Sequence, residues 1–189
     1  MKTYKVKIKG KTPYMQHRMD DQKLDDWEKN RKLIIERPDV SKEDAIRAEY
    51  HCYRNSKGVL YMPAEHVQGS LVGAGAMVKS KVGNAKKSMK NIVAGMFSIE
   101  EIELPLPQEY TIDKRSAVNQ NIKARVISIR PKWEIWETEF TLNVDNDTIT
   151  KETIKEIITN AGSFIGVGSF RPAKNGPFGR FELVEFKAV

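Results

Sequence analysis

The chain has 189 residues, with 32 Lys or Arg against 25 Asp or Glu, a formal charge of +7. Hydrophobic residues make up 40%, enough for a core, and the charge is mixed in sign, so a single domain over 1–189 is expected rather than disorder. One cysteine, Cys52, excludes an intrachain disulfide and a thiolate zinc cluster. No stretch approaches the ~20 apolar residues of a membrane helix, and Met1–Lys11 alternates instead of forming a signal-peptide core. These exclusions point to a soluble cytoplasmic protein with no membrane partner, and nothing calls for a metal or other cofactor.

Residues 3–9 alternate, with Tyr4, Val6 and Ile8 on one side and Lys5, Lys7 and Lys9 on the other, which predicts a half-buried strand. An insertion over about 14–48 follows. In it, Leu24, Trp27 and Ile34 predict a helix at 20–36, and Ser41 with Asp44 starts a second, shorter one. Residues 49–54 and 59–62 read as a hairpin turning at Asn55–Gly58. Pro63 opens a helix running to about Lys79. Its glycines, Gly69, Gly73 and Gly75, each cost ~1 kcal/mol against alanine, which implies close approach to a sheet or a ligand.

Residues 79–90 read as a mobile basic loop, with a short helix near 86–96, then a strand at 97–104 closed by Pro105. Residues 109–121 are polar and loop-like. Strands are expected over 122–130 and, after Pro131, from Trp133 to Val144. Asp145 and Asp147 belong to a turn. Thr150 caps a helix whose Ile154, Ile157, Ile158 and Ala161 have the spacing of one helical face, with Ile149 and Ile154 as a staple and Gly162 as a left-handed stop. Phe181 to Phe186 makes the last strand. The order suggests an α+β fold: a ferredoxin-like (RRM-like) antiparallel sheet with two core helices and a helical insertion after the first strand.

Charge is segregated along the chain. Residues 2–18, 79–90 and 114–132 carry cations and no acid. Several cations on one surface suit a polyanion, since each phosphate contact releases condensed counterions. Residues 166–180, GVGSFRPAKNGPFGR, add Arg171, Lys174 and Arg180 among Gly166, Gly168, Gly176 and Gly179, beside Phe170 and Phe178. Glycine allows close backbone approach, cations neutralise phosphate, and aromatics stack on bases. The spacing fits neither a dinucleotide fingerprint nor a P-loop.

This stretch, together with LYMPAEHVQGSLVGAGA, resembles the RAMP superfamily, whose ferredoxin-like members include CRISPR effector backbone subunits. Ala64, Glu65 and His66 depart from the small residues that the family places after the proline, and Gln68 from its basic residue. The resemblance implies a remote member, encoded in a CRISPR system or outside one, as in phages. It also implies RNA or single-stranded DNA binding by the sheet face, the glycine-rich loop and an inserted thumb. A homo-oligomer along the strand, or a CRISPR-type protein complex, would follow. The loop residues would form the contacts, and charge alone adds Lys123, Arg125, Lys79, Lys81, Lys86 and Lys87. Two alternatives stand beside a non-catalytic binder. One is a metal-independent endoribonuclease, with His17 and His66 as the catalytic candidates. The other is a mimic of an effector subunit, acting in assembly or inhibition.

Overall fold

The computed structural model describes residues 1–18, 40–82, 85–119 and 124–189. The helix expected at 20–36, and Lys123, lie outside them. The fold is mixed α+β, built on antiparallel sheets.

The main sheet contains β1 (Lys2–Gly10), β6 (Phe97–Ile99), β10 (Glu137–Val144) and β11 (Phe181–Ala188). Its spatial order is β11-β1-β10-β6, and every neighbouring pair is antiparallel. Alternation in β1 sends Tyr4, Val6 and Ile8 into the core, where they meet Phe140, Leu142 and Val144 of β10. Tyr4 stacks on Phe186 with ring centroids 4.5 Å apart. Two helices cover this inner face: α2 (Ala64–Gly75) and α4 (Lys151–Asn160). In α4, Ile154, Ile157 and Ile158 are buried, and the Thr153 amide donates to the Thr150 hydroxyl at 3.2 Å, as the spacing predicts.

A second sheet, in the order β2-β9-β8, comprises β2 (Tyr14–Met15), β8 (Thr111–Asn119) and β9 (Ala124–Trp133). Helix α1 (Val40–Tyr50) packs on it. Two small pairs complete the fold: β3 (Tyr61–Pro63) with β7 (Glu103–Pro105), and β4 (Lys79–Val82) with β5 (Ala85–Ser88). Helix α3 (Lys90–Met96) follows β5.

Several expectations are corrected. Residues 109–121 hold a nine-residue strand, β8, instead of a loop. Its inward positions carry Asp113 and Arg115, paired with each other, where an apolar pattern would normally betray a strand. The lysine stretch 79–90 is a hairpin, with Lys81 opposite Lys86. The strand expected at 97–104 is two short strands in different sheets. Helix α1 runs to Tyr50, so hairpin pairing shrinks to a bridge between Arg54 and Leu60, with Asn55 Oδ1 accepting from the Lys57 and Val59 amides. Helix α2 stops at Gly75, short of Lys79. Pro131 lies inside β9, where its carbonyl accepts the Gln16 amide. After α4 the chain continues through a π turn, Ala161–Ile165, and the left-handed residue is Gly166, at φ 72°, not Gly162.

The glycines of α2 separate into two kinds. A Cβ on Gly75 would meet Val93 Cγ2 at 2.9 Å and the Lys90 backbone at 3.2 Å, and one on Gly73 would meet Ile165 at 3.1 Å. Those positions let α3 and the π turn approach. Gly69 is exposed and a Cβ there meets nothing within 4 Å. Gly69→Ala is therefore expected to stabilise the protein by about 0.5–1 kcal/mol. Gly75→Ala is expected to destabilise it by about 1–3 kcal/mol through overpacking. Denaturant titration of both variants checks the difference in sign.

Candidate functional site

The outer face of the main sheet carries Lys5, Lys7 and Lys9 on its central strand, as alternation predicts. Their neighbours decide what that face can bind. Lys7 lies opposite Glu139 and Glu185, and Lys9 opposite Glu137 and Glu182. Lys7 Nζ is 2.8 Å from Glu137, and Lys187 pairs with Glu185. The lysine hydrogen bonds hold the Glu137 and Glu185 carboxyls below the usual range. The Glu101 carboxylate accepts from the Thr141 amide and hydroxyl and sits near Lys5. Acid and base alternate across this face, so its positive charge is locally cancelled. The strand positions named here also hold no aromatic side chain.

The glycine-rich loop is different. It leaves the π turn at Gly166 and folds back on itself: the Val167 amide donates to the Gly179 carbonyl at 2.9 Å and the Phe178 amide to the Phe170 carbonyl at 3.3 Å. It is then pinned to the start of the second sheet. The Gly179 amide donates to the Pro13 carbonyl at 2.8 Å and the Ser169 amide to the Met15 carbonyl at 2.9 Å. Gly166, Gly168, Gly176 and Gly179 are all buried. A Cβ on Gly168 would fall 2.4 Å from the Met15 carbonyl oxygen, and one on Gly179 1.9 Å from that of Val167. The room these glycines provide is filled by the loop's own atoms and by Tyr14 and Met15 of β2. What the loop presents at its surface is instead the side chains on its rim.

Four cations surround that rim. Lys174 is exposed at the end of a 3-10 turn, Pro172–Lys174. Arg171 donates to the Gly168 carbonyl at 2.9 Å, Arg180 donates to that of Ser163, and Arg130 reaches in from β9 to the Ser169 hydroxyl at 2.6 Å. Phe170 is 39% exposed and held at φ 52°, a left-handed conformation that is costly for a side chain of this size. Phe178 lies 6.1 Å from it, and the Arg115 guanidinium covers Phe178 at 4.7 Å and Phe170 at 5.8 Å. Asp113 holds Arg115 in that position. Sequence reading named Phe170 and Phe178 but gave no sign of Arg115 or Arg130 as their neighbours, since long-range strand pairing brings them there.

Other candidates lie elsewhere. Arg125 is exposed on β9 toward the end of the β8–β9 ribbon. Lys79 and Lys87 are exposed on the β4–β5 hairpin, to which Lys81 and Lys86 also belong.

The two candidate histidines occupy separate surroundings. His66, at the start of α2, shares a 2.8 Å hydrogen bond with the Tyr14 hydroxyl through Nδ1, and its ring meets Tyr53 edge-on. Burial and the nearby Arg171 lower it to about 4. Burial among Trp133, Trp136 and His66 raises the Tyr14 hydroxyl well above its usual value. Near neutral pH this pair is a neutral hydrogen bond, not a base tuned to the operating pH. His17 follows β2 and meets His51 edge-on at 4.6 Å.

A histidine with a folded pKa below its unfolded value binds more protons when unfolded, so stability rises with pH through the interval between the two. For His66 that interval runs from about 4 to 6.5. Acidification from pH 6.5 to 5 is expected to lower unfolding free energy, with His66 contributing up to about 1.4 kcal/mol per pH unit. His66→Gln should flatten the slope in urea titrations across that range.

No protein-family model matches this chain and no curated protein matches it, so its functional reading rests on the site described here.

Proposed function

We propose that the protein binds single-stranded nucleic acid, RNA or DNA, without cleaving it, along the rim of the glycine-rich loop. The observation that carries this reading is the coincidence, on one loop closed by its own hydrogen bonds, of Arg171, Lys174 and Arg180 with the exposed Phe170 beside Phe178, under Arg115 of β8. Cations track a phosphate backbone, and an exposed aromatic face takes a base whatever its identity. The charge-balanced sheet face supports a location at the loop, because balanced charge offers a polyanion little net attraction.

The fold supports the same reading. We take the sheet order β11-β1-β10-β6, with α2 linking β1 toward β6 and α4 linking β10 to β11, as a ferredoxin-like core with additions. Under this interpretation the second sheet and α1 are elaborations, and membership of the RAMP superfamily is the family proposal. Binding along a strand would place several copies side by side, so the mass of the complex should increase with oligonucleotide length.

A labelled 20-nucleotide single strand tests the function by fluorescence anisotropy. Contacts from Arg171, Lys174 and Arg180 predict a log–log salt slope of about −2, at about 0.7 per phosphate. Arg171→Glu with Lys174→Glu is expected to weaken binding by about tenfold or more. Lys174→Glu alone, at an exposed site, should weaken it less, and Lys5→Gln with Lys9→Gln should leave it unchanged. Equal loss from the sheet and loop variants would remove the loop from the site.

A further inference from the structure

Beside the loop lies a cluster that this reading leaves unused. His17 and His51 pack edge to face at 4.6 Å, and the Arg130 guanidinium is close enough to oppose protonation of both. Arg130 is itself half-buried. Its Nη1 donates to the Ser169 hydroxyl, while its Nε is buried with no hydrogen-bond partner among the described residues. The nearest carboxylate acting on it is Asp113, which is already engaged by Arg115. Three nitrogen bases thus converge where the described residues supply one shared carboxylate. Near neutral pH only Arg130 is charged, and protonating either imidazole beside it is costly unless an anion relieves the repulsion.

Hydrogen bonding fixes part of the chemistry. His51 Nδ1 lies 3.1 Å from the Arg18 carbonyl. A carbonyl only accepts, so Nδ1 carries the proton and Nε2 of the neutral ring does not. His17 is exposed yet packs against His51, and desolvation with the Arg130 charge lowers it to about 4. His51 is lowered as well, chiefly by burial. Among the described residues, the charged groups around the pair include Arg130 from β9, Arg18, whose guanidinium lies 5.8 Å from the Tyr53 ring centroid, and, through Arg130, the Asp113–Arg115 pair from β8.

We propose that His17, His51 and Arg130 form a seat for one phosphate group, which in the strand-binding reading is a backbone phosphate next to the loop. An oxyanion there would accept from Arg130 and from imidazoles that take up protons as it binds. Affinity would therefore rise as the pH falls from 7 toward 5, with the anion adding counter-charge beyond the one shared carboxylate that the described residues supply. The inference rests on the proposed function for the source of the phosphate, but not for the seat itself.

The test follows the histidine ring signals of the full chain by nitrogen–proton correlation NMR during pH titration. Inorganic sulfate, which does not titrate in this range, is one arm and a single-stranded oligonucleotide the other. Sulfate is expected to raise the midpoints of His17 and His51 by about one pH unit or more while leaving His66 unmoved. His17→Gln, at an exposed position, should weaken sulfate binding several-fold without loss of folding. Oligonucleotide binding with both midpoints unmoved overturns the seat and leaves the strand-binding reading intact. Midpoints that respond to sulfate while the oligonucleotide fails to bind keep the seat, as a small-anion site, and overturn strand binding. Equal movement of all three histidines, or of none in either arm, overturns the seat.

Discussion

The Gly179 amide on the Pro13 carbonyl and the Ser169 amide on the Met15 carbonyl close residues 166–180 against β2. Those bonds join segments more than 150 residues apart, and much of the candidate chemistry depends on the closure. It places Ser169 against Arg130 and the Phe170–Phe178 pair under Arg115. A backbone approach this close excludes any side chain at Gly168 and Gly179, where the chain also takes positive φ. The glycines therefore act by bringing two strands' worth of side chains together rather than by cradling a phosphate themselves. A net ~1 kcal/mol per hydrogen bond is modest, but the geometry leaves those amides no other partner as good.

The same closure divides the molecule electrostatically. On the main sheet, Lys7 and Lys9 of β1 each face a glutamate on both β10 and β11, and opposite charges across strands stabilise the pairing, while Lys5 lies between Thr141 and Lys187 with the Glu101 carboxylate nearby. Lysines that look like a basic face in the sequence are thus consumed in holding the sheet together. Around the loop the cations meet carbonyls, a hydroxyl and aromatic rings more often than acids. Net charge is a poor guide to a binding surface here, because the distribution of counter-charge across strands decides which cations remain available.

Much of the fold was legible in the sequence, and the reasons differ by element. β1 and α4 announce themselves because each buries one face and exposes the other, so the period survives in the residues. β8 hides because its inward positions are filled by Asp113 and Arg115, an ion pair that looks like loop polarity until its partner strand is known. The β4–β5 hairpin hides behind lysines for the same reason. At the site, Arg171, Lys174 and the two phenylalanines were readable because loop residues lie close in sequence. Arg115, Arg130 and His51 were not, since each reaches the site through strand pairing or a tertiary turn that no local pattern encodes.

That division bears on how the loop and the histidine cluster work together. The rim offers Lys174 and Arg180 at the surface, where they are screened by salt and, in the proposed function, would attract a strand without fixing its register. The Arg130 cluster is half-buried, where charge interacts more strongly and a single anion is held in one place. Ser169 touches both, through its amide to Met15 and its hydroxyl to Arg130. A strand drawn in by the rim would therefore be positioned by one phosphate at the cluster. The left-handed backbone of Phe170, one residue further on, would set the aromatic face at an offset from that phosphate. Under the proposed function the loop's hydrogen-bonded closure would serve binding as well as packing, because an aromatic platform orders a base only if its distance from the phosphate seat does not change.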